Sequence, residues 1–178
     1  MRNLWGLLVT ASLLLLAGCA EAQPDLSEQQ IEEVTLEAVT YDEWLRRLES
    51  MQGEIVVVDM WATWCIPCIE RFPHMVELHE KYAGQGVRFV SMCLNDRDDP
   101  EAIKSAEAFL KRQNATFTNY LMDENVLDAF EKLGILGIPA VYIYDREGNL
   151  RYRLTGDNPN DQFTDADVEE AIVTLMNG

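Results

Sequence analysis

An α/β fold with a mixed central sheet is what this chain of 178 residues predicts, and three stretches predict it. Glu54 to Met60 carries the unbroken β-branched run Ile55-Val56-Val57-Val58; apolar residues without alternation suit a strand covered on both faces. From near Cys65 to about Tyr82, the residues Ile69, Phe72, Met75, Val76, Leu78 and Tyr82 recur at helical spacing. Asp145-Arg146-Glu147-Gly148-Asn149 is turn chemistry between two extended stretches and returns the chain antiparallel. Strands alternating with helices, then a hairpin and a last helix, make a sheet that mixes parallel and antiparallel pairs.

The remaining elements follow in order. Val34 to Val39 reads as a short strand. Thr40-Tyr41-Asp42-Glu43 fits a capping box and opens a helix with Trp44, Leu45 and Leu48 on one face, ending near Gly53. Gly84 and Gly86 stop the helix that starts near Cys65. Val87 to Leu94 is a second buried strand. Asp98 or Asp99 caps a helix from Pro100, a residue suited to a first turn, to about Gln113. Phe117 to Leu121 is expected to be extended, Glu124 to Leu133 helical with Gly134 as its stop, and Pro139 to Tyr144 a strand. Leu150 to Leu154 forms the returning strand, and Thr164 caps a final helix through Leu175.

Length and charge bound the function. The chain suffices for one domain with a core, plus appendages. With 14 basic and 31 acidic residues the formal charge is −17, which repels nucleic acid and anionic headgroups and excludes both as electrostatic partners. The acidity reads as a solubility feature rather than a docking face.

The N-terminus is set apart from the fold. Met1-Arg2-Asn3 is a short basic start, Leu4 to Leu16 is almost wholly apolar, and Ala17-Gly18-Cys19 follows. This is the pattern of a secretory signal, too short for a spanning helix. Leu16-Ala17-Gly18-Cys19 resembles the lipobox of bacterial lipoproteins, which implies a signal peptide at 1–18, cleavage before Cys19 and lipidation of Cys19, with the membrane as partner through that anchor. By resemblance to Gram-negative sorting, Ala20 in place of Asp favours the outer membrane. Residues 19–33, with five acidic residues and no basic ones, form an anchored acidic tether, and 34–178 the domain.

The chemistry centres on Cys65-Ile66-Pro67-Cys68. After a buried strand and at the start of a helix, Cys65 sits at the positive end of the helix dipole beside unpaired N–H groups, which stabilises a thiolate. Cysteines three apart in the first helical turn can close a small disulfide, one attacking and the other resolving. Pro67 loses nothing in the first turn and stiffens the loop. Zinc would need two more ligands, and Cys93, His74 and His79 are scattered, so no metal is assigned. A structural disulfide and a peroxide-reducing cysteine are alternatives that the spacing alone leaves open. Asp59, inside Val56-Val57-Val58-Asp59-Met60, should be buried, and its pKa should rise. Six residues before Cys65, it is a candidate proton acceptor or relay for Cys68. Cys93 reads as core packing and His74 and His79 as helix-surface residues.

Val57-Val58-Asp59-Met60-Trp61-Ala62-Thr63-Trp64-Cys65-Ile66-Pro67-Cys68 resembles the active-site strand and turn of thioredoxins, most closely the membrane-anchored TlpA/ResA-type thiol–disulfide oxidoreductases. Gly137-Ile138-Pro139-Ala140 is similar to that family's cis-proline loop. The resemblance implies a thioredoxin-like fold, a kink at Pro73, a cis Pro139, backbone pairing of substrate at Ile138, an exposed Trp64 and a deeper Trp61. Trp64, Pro67, Ile138 and Pro139 are thus candidate substrate contacts. Two departures stand out: Arg71 replaces an acidic residue found in some members, and Met92 or Cys93 stands about where thioredoxins place a lysine beside the buried aspartate. The long segment Asp99 to Leu121 fits the family's extra helix and strand, inserted before the cis-proline loop.

The function expected is extracytoplasmic reduction of client-protein disulfides, with a membrane-embedded thiol relay as electron donor and no dissociable cofactor. A disulfide oxidant of the same fold, and a partner-binding lipoprotein that keeps the disulfide as a staple, are the alternatives.

Overall fold

The computed structural model describes residues 33–156 and 162–178. The expected signal peptide, Cys19 and the expected tether up to residue 32 lie outside the described residues. Among the described residues no helix is long and apolar enough to cross a membrane.

The chain runs β1 (Glu37–Val39), α1 (Tyr41–Ser50), β2 (Ile55–Trp61), α2 (Ile66–Tyr82), β3 (Val87–Cys93), α3 (Pro100–Gln113), β4 (Thr118–Met122), α4 (Val126–Leu133), β5 (Ala140–Tyr144), β6 (Leu150–Thr155) and α5 (Asp165–Asn177). The strands form one sheet in the order β1-β4-β3-β2-β5-β6. β1, β4, β3 and β2 are parallel neighbours; β5 pairs antiparallel with β2, and β6 antiparallel with β5. The sheet is therefore mixed, as the alternation and the closing hairpin predict.

β2 sits mid-sheet and every one of its residues is buried. Its side chains divide by parity. Ile55, Val57 and Trp61 join the core under α2, α3 and α5 with Phe72, Phe89, Phe109 and Ile172. Val56, Val58 and Met60 join the opposite core with Trp44, Leu48, Met92 and Leu133. Two buried faces need an uninterrupted apolar strand, which is why β2 shows no polar alternation.

Local signals set the boundaries. Thr40 and Thr164 both close capping boxes, with Glu43 and Asp167 reaching back to the cap backbone. Asp99, not Asp98, caps α3, its carboxylate accepting from the amides of Glu101 and Ala102 at 3.0 and 3.2 Å. Asn125 caps α4, so that helix begins at Val126 rather than at Glu124. Gly134 ends it at φ +67°, a left-handed conformation that suits glycine. β1 is shorter than expected: Val34 and Leu36 pack on the core, but only Glu37–Val39 pairs with β4.

α3 and β4 make up the expected insertion. β4 lies between β1 and β3, and Phe109 of α3 meets Trp61 and Phe72 at centroid distances of 5.0 Å each. The insertion is thus part of the core directly beneath the start of α2.

Truncating a residue in this two-faced core should be costly. Ile143→Ala, at a fully buried position in β5, should lower unfolding free energy in urea by about 2–5 kcal/mol. Leu150→Ala, at a position 40% exposed on β6, should change it by less than about 1 kcal/mol.

Candidate active site

β2 delivers the chain to the site and α2 carries it away. Between them, the amide of Cys65 donates to the carbonyl of Ala62 at 3.1 Å, turning the backbone sharply, and that of Ile69 donates to the carbonyl of Cys65 at 3.1 Å, the first bond of the helix. Cys65 is the N-cap of α2, and its Sγ accepts the N–H of Cys68 at 3.3 Å. A sulfur takes the place that a Ser or Asp oxygen usually holds at a helix start. No acidic residue lies in the first turn, while His79 and Lys81 lie in the last. The positive end of the helix dipole therefore acts on Cys65 without a competing carboxylate in that turn.

Cys65 and Cys68 are joined by a disulfide, with Cα atoms 5.3 Å apart. Both are buried, but unequally: Cys65 keeps 5% exposure and Cys68 1%. Cys65 is thus the more exposed residue of the pair. Around it, Trp64 is 56% exposed while Trp61 is fully buried against Phe72, at a centroid distance of 5.1 Å. Ile66 and Pro67 are exposed. The Ile138–Pro139 bond is cis, the isomer the resemblance implies, and both residues are half-buried. The Pro139 carbonyl accepts from Gly156 at 3.0 Å, tying this loop to the end of β6. Pro73 lies inside α2.

Asn95 escaped the sequence reading. It is 1% exposed and braces the loop before Cys65. Its Oδ1 accepts the Thr63 amide at 2.9 Å, and its Nδ2 donates to Thr63 Oγ1 at 3.0 Å and to the Ala102 carbonyl at 2.8 Å. The only trace in the sequence is a polar residue directly after an apolar strand, too common a pattern to single it out.

Asp59 is 2% exposed and lies in register with Ser91 of β3 and Val141 of β5. Of the two β3 residues expected about where thioredoxins place a lysine, Met92 lies in the opposite core, while Cys93 lies in the core of Val57 and Trp61; Ser91 is the β3 residue in register with Asp59, and its hydroxyl donates to Asn119 at 2.8 Å. The cation comes instead from α2. Arg71 Nη1 donates to Asp59 Oδ1 at 2.9 Å, and Nη2 to Asp165 Oδ1 of α5 at 3.1 Å. Burial raises the Asp59 pKa to about 6; the Arg71 charge opposes that rise and the nearby Asp165 adds to it. A lone arginine one helical turn past Cys68 was a usable signal, since a buried strand aspartate needs a counter-charge. Asp165 had none: it comes from 94 residues away.

Other expectations resolve as follows. Cys93 is free and fully buried, and burial pushes its thiol up to about 12. His79 is not a surface residue: it stands half-buried with its ring edge-on to Phe89 and Phe117, at 5.7 and 5.1 Å, because α2 lies flat on the sheet there. His74, also half-buried, meets Glu77 at 3.2 Å. Among the described residues no group of three or more His, Cys, Asp or Glu side chains could hold a metal ion.

The family model named Redoxin matches residues 26–172. This chain belongs to the Redoxin family. Among relatives of this Redoxin protein, the thiol-disulfide oxidoreductase ResA of Bacillus thuringiensis subsp. konkukian is 26% identical over 116 residues, 65% of this chain and 63% of that one. The thiol:disulfide interchange protein DsbE of Haemophilus influenzae is 33% identical over 106 residues, 60% of this chain and 53% of that one. The match therefore spans less than two thirds of either relative's length. A crystal structure of a thioredoxin-family thiol:disulfide interchange protein from Chlorobium tepidum superposes with a TM-score of 0.56 at 25% identity, over 71% of this chain and 83% of that one. The fold is thioredoxin-like.

Asp59 makes stability depend on pH in a defined direction. Its carboxyl holds a proton more tightly in the folded protein, at about 6, than at the ordinary value of 3.8. The stability it contributes is full below about pH 4, falls as pH rises through 6, and is level above. Relative to Asp59→Asn, the native protein should lose on the order of 3 kcal/mol across that window, measured by urea unfolding at successive pH values.

Proposed function

We propose that this protein is an extracytoplasmic thiol–disulfide oxidoreductase that reduces disulfides in client proteins through Cys65 and Cys68. The observation that carries the reading is the placement of Cys65: more exposed than its companion, at the N-cap of α2, with its sulfur accepting a helix amide. The names of the ResA and DsbE relatives support it.

In the reduced protein the Cys65 thiolate attacks one sulfur of a client disulfide. A mixed disulfide forms, and the other client sulfur leaves as a thiolate that takes a proton from solvent. Cys68 then gives its proton to the Asp59 carboxylate, directly or through a water, and its sulfur attacks Cys65 Sγ. The bond between Cys65 and the client breaks, the second client thiol is released, and the Cys65–Cys68 disulfide closes. Two electrons pass to the client. Trp64 and Pro67 offer apolar surface to the client chain beside the dithiol, and the backbone of Ile138 is the segment assigned to pair with it. Two electrons from a membrane-embedded thiol relay restore the dithiol.

The charges near the pair support the reductive direction. Ile66 and Pro67 are uncharged, the Arg71 cation is already shared by two carboxylates, and Asp59 disfavours a second anion close by. Beyond the helix dipole, little favours the thiolate, so the reduced form is not over-stabilised.

Outside the domain, we assign 1–18 as a lipoprotein signal, Cys19 as the acylated residue and 19–33 as the tether of an outer-membrane anchor, with 34–178 as the working domain. The apolar stretch that ends in Leu16-Ala17-Gly18-Cys19 supports this.

Two measurements test these readings. Turnover of a fluorescent disulfide substrate should vanish in Cys65→Ser, Cys68→Ser should trap the client as a mixed disulfide, and the reduction potential should lie on the order of −250 mV or below. Turnover that persists in Cys65→Ser overturns the exchange reading; a potential near −120 mV makes the protein an oxidant. Radiolabelled palmitate should enter the full chain expressed in a Gram-negative host and fail to enter Cys19→Ser.

A further inference from the structure

Asp59 can accept a proton from Cys68 only if it is ionised when Cys68 must lose one. Burial alone would keep it protonated through neutral pH. The groups that face it are few. From β5 comes Val141, which is apolar, and from β3 comes Ser91, whose hydroxyl is committed to Asn119. β3 also carries the buried thiol Cys93, in the core of Val57 and Trp61, and α5 brings Asp165, a second carboxylate on the same guanidinium. The Cys65–Cys68 pair stands at the start of α2, six residues beyond Asp59 in the chain. Among the described residues the one ion pair made by Asp59 is with Arg71.

Arg71 is not a surface side chain free to swing towards a client. It is 11% exposed and held at three points: Asp59, Asp165 and the face of Phe163, 4.6 Å from the guanidinium carbon to the ring centroid. Asp165 occupies the first helical position of α5, directly after the capping residue Thr164. Two carboxylates therefore share one cation across three elements, β2, α2 and α5. The arrangement is asymmetric at Asp59 as well. Oδ1 takes the Arg71 bond, while Oδ2 is buried and has no hydrogen-bond partner among the described residues.

We propose that Arg71 is a positioning residue for the resolving step: shared between Asp59 and Asp165, it keeps the Asp59 carboxylate ionised near neutral pH and leaves Oδ2 to take the Cys68 proton. The proposal rests on the exchange chemistry described above and adds the element that sets its pH range. In the step itself, the S–H bond of Cys68 breaks as an O–H bond forms at Asp59 Oδ2. The sulfur lone pair then forms the S–S bond to Cys65, and the client sulfur leaves with the electron pair of the bond that breaks. Arg71 is unchanged throughout. The two neighbours of Asp59 act in opposite directions. Arg71 favours its charged form, and Asp165 disfavours it both through its own charge and by drawing on the same guanidinium.

A merely structural staple between α2 and α5 would not produce that opposition, and the test uses it. Reduced full-length protein is mixed with DTNB in a stopped-flow instrument between about pH 5 and pH 9. The first TNB release reports attack by Cys65 and the second resolution by Cys68. In parallel, the Asp59 carboxyl is titrated by 13C NMR in the reduced protein, a readout independent of turnover. Arg71→Met should move the midpoint of the second step, and of the carboxyl titration, upward by roughly one to three pH units, and leave the first step in place. Arg71→Lys should restore most of the shift. Asp165→Asn, at a partly exposed helix start, should move both midpoints downward. In an Asp59→Asn background the Arg71→Met shift of the second step should disappear.

The proposal is overturned if both midpoints stay put, if the Arg71 and Asp165 variants move them the same way, or if the shift survives in Asp59→Asn. Should Arg71→Met fail to fold, Arg71→Lys and Asp165→Asn decide the matter by the sign of their effects. If the native protein shows no second release at any pH, the exchange reading falls, whereas the carboxyl titrations still decide whether Arg71 sets the charge of Asp59.

Discussion

The amide of Cys68 aimed at the sulfur of Cys65 is the contact on which this site turns. It exists because a strand buried on both faces runs straight into a helix, with four residues between them to reverse direction. The buried strand fixes the height of the turn above the core, and the helix supplies orphan amides and a positive end at that point. A cysteine at the N-cap receives both influences, and a second cysteine one turn further on is held within bonding distance. If the turn shifted, the sulfur would lose its donor and the pair its geometry together, which explains why Asn95 braces Thr63 from the neighbouring strand's end.

Below this turn the core carries a cost. A carboxylate inside an apolar strand is tolerable only with a counter-charge or a proton. Here it has part of each: Arg71 supplies the charge, and burial still leaves the pKa at about 6. A fully compensated aspartate would be an inert anion and an uncompensated one an inert acid. The intermediate setting lets the group change state near neutral pH, and it arises from burial first, opposed by the Arg71 charge, with the nearby Asp165 adding to the rise.

The inserted α3 and β4 serve the same region. Phe109 completes an aromatic cluster with Trp61 and Phe72 under the active-site turn, and the Ala102 carbonyl anchors Asn95. The insertion thereby stiffens the floor and one wall of the site, while the exposed Trp64, Ile66 and Pro67 stay at its rim.

Residue order alone determined the elements of the fold, the dithiol at a helix start and the burial of Asp59, because each depends on local periodicity, on capping, or on an apolar run too long to be half-exposed. The Pro139 loop was also legible, though through likeness to a known motif rather than through any local physical rule. Tertiary structure alone decided what meets across the sheet. That Arg71 rather than a strand lysine faces Asp59, that Asp165 contests it from 94 residues away, that Met92 turns to the other core and that His79 meets two aromatic rings edge-on all depend on register and helix rotation. Register is set by pairings between segments distant in the chain, and no local pattern encodes which buried charge will find which partner.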